Sequence, residues 1–114
     1  MRTVKVDKGV AFGDGKLTFI AGPCVIESRR MAMDLACRLT SLATKLGVGF
    51  VFKASFDKAN RTSVDSFRGP GIEEGLDILA EIRETFEVPV LTDVHEPGQC
   101  AKGAAVCDVL QIPA

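Results

Sequence analysis

The feature that most constrains the fold is a regular alternation of short apolar runs with amphipathic helical segments. Four runs have the composition of buried strands: residues 17–22, 48–55, 88–94 and 108–112. In the first intervening segment, apolar side chains recur at helical spacing: Met31, Leu35, Leu39, Leu42 and Leu46. Because strands joined by helices of this length pair in parallel through right-handed crossovers, the sequence predicts an α/β fold.

Local signals set the ends of the helices. Ser28 is a suitable N-cap for the first helix, and Gly47 supplies its stop. Apolar spacing predicts a second helix over residues 72–86 despite Gly75. A short third helix, over residues 97–105, begins with a proline, which is favoured at the first helical position.

The chain is long enough for one small domain and an additional hairpin. Its 114 residues are 46% hydrophobic, which suits a folded core and excludes a disordered chain. Residues 1–16 precede the repeat and fit a small β-hairpin, with Gly-Asp-Gly at residues 13–15 as its turn.

The charge balance argues against nucleic acid or an anionic membrane as a partner. The chain carries 14 Lys and Arg residues against 15 Asp and Glu residues. Its longest uncharged run, residues 17–26, is broken by Gly22 and Pro23 and is too short to span a bilayer. No secretory signal opens the sequence, so we expect a cytoplasmic protein with reduced cysteines.

The four cysteines match no zinc-binding or Cys-x-x-Cys spacing. They stand at Cys24, Cys37, Cys100 and Cys107. A disulfide framework is not expected, and each is by default a small buried hydrophobic residue. Cys24 differs in its setting, because it follows Gly-Pro at the end of a strand.

Residues able to do chemistry gather where the predicted strands end. They are Cys24, Lys53, Ser55, Asp93, His95, Gln111 and Pro113. Spacing by two puts Lys53 with Ser55 on one face of a strand, and Asp93 with His95 on one face of another. Ligand sites occupy this end of the strands in both doubly wound sheets and (β/α)₈ barrels. The pattern alone leaves sheet and barrel open.

The segment from residue 53 to residue 68 has the composition of an anion site. It holds four basic residues against two acidic ones, with hydroxyl and amide side chains between them. Arg and Lys bind phosphate, while Asn and Ser orient hydroxyl groups. The segment therefore suits a phosphorylated, hydroxylated small molecule. The alternative is a solvated loop with surface ion pairs.

Five stretches together resemble the 3-deoxy-D-manno-octulosonate 8-phosphate synthases: residues 20–28, 52–63, 66–71, 92–96 and 111–114. The resemblance implies a (β/α)₈ TIM barrel that joins phosphoenolpyruvate to D-arabinose 5-phosphate and releases phosphate, in the synthesis of an inner-core sugar of lipopolysaccharide. Such a barrel needs about 250 residues. We therefore expect residues 17–114 to be its N-terminal half, with about four strands and three helices. The isolated chain is expected to be inactive.

The resemblance also implies roles for single residues. The catalytic centre would comprise Lys58, Asn60 and Asp93. The phosphoenolpyruvate site would be Lys53, Ser55, Lys58 and Gln111. The pentose phosphate would contact Asn60 through its hydroxyls, Arg61 and Thr62 through its phosphate, and Pro113 and Ala114 as a wall. Thr62 stands where the family usually has Ser, and it keeps the hydroxyl.

Cys24 takes a sharper interpretation from the resemblance. Family members with Cys after Gly-Pro are the metal-dependent ones, so Cys24 is expected to bind a divalent metal ion whose other ligands lie outside these 114 residues. His95 is either a hydrogen-bonded structural residue or a base or ligand. A homo-oligomer, a tetramer, is also implied by the resemblance.

Two alternatives accompany this interpretation. The related synthase of the aromatic pathway uses erythrose 4-phosphate and typically has Lys-Pro-Arg where this chain has residues 58–61, so Asn60 argues against it. The other alternative is an inactive half-barrel that only binds ligands or self-associates.

Overall fold

Two sheets and three α-helices make up the part of the chain that the structure describes, residues 2–58 and 67–114 of a computed structural model. In chain order the elements are β1 (Val4–Lys5), β2 (Ala11–Phe12), β3 (Thr18–Ala21), α1 (Arg29–Leu46), β4 (Gly49–Lys53), α2 (Ile72–Phe86), β5 (Val90–Asp93), a 3₁₀ turn (Pro97–Gln99), α3 (Cys100–Val106) and β6 (Val109–Gln111). The predicted α/β class is confirmed, and each predicted strand and helix of the repeat is present.

The larger sheet is parallel, and its four strands stand in chain order, β3-β4-β5-β6. Its register pairs Ile20 with Val51, Lys53 with Leu91, and Asp93 with Gln111. Every connection between neighbouring strands of this sheet carries a helix, as parallel pairing requires. All four strands therefore end at the same edge of the sheet.

The helix boundaries follow the predicted capping chemistry. The Ser28 hydroxyl accepts a hydrogen bond from the backbone N–H of Met31 at 3.1 Å. Gly47 ends α1 in the left-handed conformation, at a φ of 68°, which glycine adopts without steric cost. Both predictions are confirmed.

The N-terminal hairpin is present, but the predicted position of its turn is wrong. Strands β1 and β2 pair antiparallel around residues 7–10, where Val6 N–H donates to the Val10 carbonyl at 2.9 Å. Lys8 and Gly9 both take positive φ, and the Asp7 carboxylate accepts from the Lys8 N–H at 2.8 Å. This side-chain bond stabilises a turn that the glycine pattern at 13–15 does not predict. Residues 13–15 instead connect β2 to β3.

A hydrophobic core lies between the parallel sheet and the helices. From the sheet it takes Phe50, Phe52, Ala54 and Val90, and from the helices Ala32, Ala36, Ile78, Leu79 and Ile82. Gly75 of α2 packs against Phe56, because a Cβ there would lie 2.4 Å from the Phe56 Cβ. This close packing accounts for a glycine inside the helix.

The cysteines differ in burial. Cys107 is buried, as expected, whereas Cys100 is only partly buried and Cys37 is exposed. The prediction of a buried Cys37 is wrong because its neighbour Ala36 faces the sheet. Successive helical side chains are rotated by about 100°, which turns Cys37 away from the core.

Arg83 of α2 ties the hairpin to the sheet. Its guanidinium donates to the Asp108 carboxylate at 3.0 Å and also to Asp7 in the hairpin turn. Asp108 in turn accepts from the backbone N–H of Val90 at 2.9 Å. Burial by itself raises the pKa of Asp108, but the hydrogen bonds from Arg83 and Val90 outweigh burial and lower that pKa.

No helix in the described part of the chain combines the length and the apolar character that a membrane span requires.

Candidate functional site

Three polar side chains form a row across adjacent strands at the end where the strands finish. The register sets Asp93 beside Gln111, and Ser55, two residues beyond Lys53, lies beside Asp93. The Ser55 hydroxyl donates to Asp93 Oδ1 at 2.5 Å, and both residues are buried. A carboxylate at this depth requires such a partner, because an unpaired buried charge is strongly unfavourable. The row is therefore a built polar site at the predicted edge.

Lys53 belongs to the same face as Ser55, since the two residues are spaced by two along an extended strand. Its side chain is partly buried. Gly22, which directly follows β3, approaches β4 so closely that a Cβ on Gly22 would lie 1.8 Å from the Lys53 carbonyl oxygen. The glycine before Pro23 is thus required for the chain to run beside the end of β4.

The Gly-Pro-Cys segment continues alongside β4 beyond the regular strands. Val25 pairs with Ser55 in an isolated parallel bridge, and Ile26 N–H donates to the Ser55 carbonyl at 3.1 Å. Val25 and Ile26 are buried, while Cys24 is exposed. Cys24 is therefore an exposed residue that lies one position before the Val25–Ser55 bridge.

A metal site is not complete within the described residues. No three side chains of the types His, Cys, Asp and Glu gather there closely enough to hold an ion. Cys24 is a suitable soft donor for a divalent ion, but a catalytic site needs about three protein ligands.

His95 is fixed by three neighbours. Its Nε2 lies 2.8 Å from the Asp57 carbonyl oxygen, and because a carbonyl only accepts, Nε2 must carry the proton and donate. The backbone N–H of His95 donates to Gln99 Oε1 at 2.7 Å, and its ring meets Phe56 edge-on at 5.8 Å. The distance to Asp93 Oδ2, 3.6 Å, is too long for a hydrogen bond. These contacts favour the structural alternative for His95.

The segment after β4 is held by residues that the sequence interpretation did not single out. The Arg68 guanidinium binds the Asp57 carboxylate through two hydrogen bonds of 2.9 Å each, and Lys58 N–H donates to the Arg68 carbonyl at 2.7 Å. Thr92 donates to the Ala54 carbonyl at 2.8 Å. The sequence contained these charges, but nothing in it paired Asp57 with Arg68.

The other predicted site residues lie either outside the described residues or after β6. Asn60, Arg61 and Thr62 lie outside the described residues. Pro113 and Ala114 are exposed after β6, and Pro113 lines an open cavity of about 530 Å³ together with His95 and Cys100. The structure therefore brings together Ser55, Asp93 and Gln111.

The fold and the site define a class, namely α/β proteins whose polar ligand site lies at the carboxyl ends of parallel strands. A family model described as the DAHP synthetase I family matches residues 2–114, and the chain belongs to this family.

The chain is similar to curated proteins named 2-dehydro-3-deoxyphosphooctonate aldolase. It is 54% identical to the protein of Marinobacter nauticus over 101 residues, which cover 89% of this chain and 36% of that protein. It is 59% identical to the protein of Bordetella bronchiseptica over 89% of this chain and 35% of that protein. The match to the protein of Shewanella amazonensis, at 49% identity, covers all of this chain and 40% of that protein. The chain thus spans little more than a third of these relatives.

Proposed function

We propose that the complete polypeptide containing this chain condenses phosphoenolpyruvate with D-arabinose 5-phosphate and water. The products are 3-deoxy-D-manno-octulosonate 8-phosphate and inorganic phosphate. The observation that carries the proposal is the identity of 49% and more to proteins named 2-dehydro-3-deoxyphosphooctonate aldolase. The row of Ser55, Asp93 and Gln111, of which Ser55 and Asp93 are buried, supports it, since the row occupies the edge where such a fold binds ligands.

The bond changes of this reaction balance with the two substrates and one water. Carbon C3 of phosphoenolpyruvate attacks the aldehyde carbon, water adds at C2, and phosphate leaves the tetrahedral intermediate. Both substrates are anions, so the protein must mainly position them and neutralise their charge. We assign Lys53 and Lys58 to charge neutralisation, and Ser55 and Gln111 to holding phosphoenolpyruvate.

The remaining residue roles are part of the same proposal. Asp93 would lie near the reacting carbons, where its hydrogen bond from Ser55 fixes the carboxylate. Asn60 would bind the pentose hydroxyls, Arg61 and Thr62 its phosphate, and Pro113 and Ala114 would form a wall.

We also propose that residues 17–114 are the first half of a (β/α)₈ barrel, preceded by the hairpin of residues 1–16. The parallel sheet has β3 and β6 as its two outer strands. An apolar groove of about 180 Å³ runs beside β3, and its wall includes the exposed side chains Phe19, Leu42 and Leu46. Further strands and helices of the barrel would cover this apolar surface.

We propose Cys24 as one ligand of a divalent metal ion in the complete polypeptide. The ion would orient an aldehyde or water oxygen as a Lewis acid. Binding of Co²⁺ tests the ligand directly, since a thiolate ligand gives a charge-transfer band that Cys24→Ser removes. A band of unchanged intensity in the variant would contradict this assignment.

The decisive experiment is a phosphate-release assay of the product of the complete open reading frame. We expect release that requires both phosphoenolpyruvate and arabinose 5-phosphate. Because the matching family model is described by DAHP synthetase, erythrose 4-phosphate is the competing substrate to include. Faster turnover of erythrose 4-phosphate would favour the aromatic-pathway reaction. If no phosphate is released with either sugar phosphate, the proposal that the polypeptide is an enzyme is wrong.

A parallel assay of the 114-residue chain tests whether this chain is catalytically active by itself. We expect no turnover, since the chain covers about a third of the length of its relatives. Sizing chromatography of the complete polypeptide tests the expected homo-oligomer. A discrete assembly of the 114-residue chain that binds phosphoenolpyruvate without turnover would instead favour the inactive binding module.

A further inference from the structure

Three connections join residues 56–58, which follow β4, to residues 68–71, which precede α2. The Asp57 carboxylate accepts two hydrogen bonds from the Arg68 guanidinium, each of 2.9 Å. Lys58 N–H donates to the Arg68 carbonyl at 2.7 Å, and Gly71 N–H donates to the Phe56 carbonyl at 3.0 Å. Residues 56–58 and 68–71 therefore form one bonded unit.

Close backbone packing supports this unit. Gly69 lies so near to Phe56 that a Cβ would fall 2.3 Å from the Phe56 carbonyl oxygen. Gly69 also has a φ of 124°, which side-chain-bearing residues rarely adopt. A residue other than glycine would push Arg68 away from Asp57, so the packing and the ion pair depend on the same geometry.

The same unit is attached to the end of β5. The Asp57 carbonyl accepts from His95 Nε2 at 2.8 Å, and His95 follows Asp93 by two residues. Asp57 thus binds Arg68 through its side chain and His95 through its backbone. This places the backbone at Lys58 at a fixed position relative to the strand that carries Asp93.

We propose that Asp57 and Arg68 are positioning residues that hold the backbone of Lys58 against the end of β5, the strand that carries Asp93. The inference rests on the proposed function, in which Lys58 meets the anionic substrate. A lysine carries its charge on a long flexible stem, so its reach is set by where its backbone is anchored. Arg68 anchors the backbone of Lys58 in two ways. The Arg68 carbonyl accepts from the Lys58 N–H, and the Arg68 side chain binds Asp57, the residue before Lys58.

The kinetic test uses the complete open reading frame and three variants. Asp57→Asn removes the charge, Arg68→Lys removes the planar fork, and the exchange Asp57→Arg with Arg68→Asp restores an opposite-charge pair. We expect the KM for phosphoenolpyruvate to rise about tenfold in the two single variants, with kcat within about threefold of the unmodified enzyme. The exchange variant should recover part of the lost affinity.

Glu73→Gln is the matched control, because Glu73 and Lys102 form an exposed ion pair at 2.8 Å on α2 and α3. It should leave KM unchanged. A residue with a merely structural role would lower the amount of folded enzyme, and with it kcat, but not raise KM. An unchanged KM in both single variants, or an equal rise in Glu73→Gln, overturns the proposal.

Amide hydrogen exchange at Lys58 separates this inference from the proposed function, because it needs no substrate. We expect the Lys58 amide to exchange about tenfold faster in Asp57→Asn than in the unmodified protein or in Glu73→Gln. If the unmodified protein turns over neither sugar phosphate, the proposed function fails. The exchange rate of the Lys58 amide then tests the positioning roles of Asp57 and Arg68 by itself. Exchange at an unchanged rate in Asp57→Asn then refutes the anchoring of Lys58.

Discussion

Ser55 and Asp93 are bonded across neighbouring parallel strands, with the serine hydroxyl donating to the buried carboxylate. The two residues are 38 positions apart in the chain. Asp93 is also in register with Gln111 of the next strand. The pair and Gln111 thus bring polar side chains from three strand ends to one edge of the sheet.

Ser55→Ala is expected to destabilise the protein by about 1–3 kcal/mol, because it leaves one oxygen of the buried Asp93 without a donor. Urea unfolding of the variant measures this loss. Ser41→Ala is the control, since Ser41 is exposed on α1. Equal midpoints for Ser55→Ala and Ser41→Ala would show that the hydrogen bond contributes nothing to stability.

Gly22→Ala should destabilise the fold by about 1–3 kcal/mol through overpacking. The added Cβ would lie 1.8 Å from the Lys53 carbonyl oxygen, which belongs to the backbone and cannot rotate away. Thermal unfolding is the measurement. Gly98→Ala is the matched control, because a Cβ at Gly98 meets nothing within 4 Å. If both variants unfold at the same temperature as the unmodified protein, the close approach of Gly22 to the Lys53 carbonyl is wrong.

Asp108→Asn is expected to lower stability at neutral pH by about 1–3 kcal/mol, since the charge-assisted bonds from Arg83 are lost. The pKa of Asp108 is lowered in the folded state, so its stabilisation is present above the unfolded value of about 3.9 and is lost as pH falls through the folded value. The difference in unfolding free energy between the two proteins should therefore shrink below about pH 4.

Urea unfolding at a series of pH values checks this prediction. Asp77→Asn provides the comparison, because Asp77 pairs with Arg29 on the exposed surface. Its effect should be small at every pH. A difference for Asp108→Asn that grows on acidification would contradict the sign of the shift.

Alkylation should distinguish the cysteines. Cys24 and Cys37 are exposed and are expected to react rapidly with iodoacetamide in the native protein. Cys107 is buried, and this burial raises the pKa of its thiol to about 12, which leaves little thiolate to react. Mass spectrometry after a short exposure should find Cys107 modified only in urea. Modification of Cys107 at the rate of Cys37 under native conditions would refute its burial.

The elements of the repeat could be predicted from the sequence because their signals are local. The cap at Ser28 and the stop at Gly47 depend on the backbone within one helical turn. The periodicity of apolar side chains likewise reports which face of a segment is buried. Together these signals yielded the order of strands and helices and the edge of the sheet where polar residues gather.

The turn of the N-terminal hairpin and the exposure of Cys37 were decided by contacts that these signals do not contain. The turn depends on the bond between the Asp7 carboxylate and the Lys8 N–H, and Asp7 is also bound by Arg83, which is distant in the sequence. Cys37 is exposed because its neighbour Ala36 takes the position against the sheet.

The residue types at the end of each strand can be read from the sequence, whereas the folded chain establishes which of these residues meet. Ser55 binds Asp93 because the register of β4 and β5 sets them side by side, and Arg68 binds Asp57 because Gly69 lets the two backbones approach. Strand register and backbone packing follow from many weak contacts distributed over the whole sheet. Pairings between distant residues are therefore fixed only when the chain is folded.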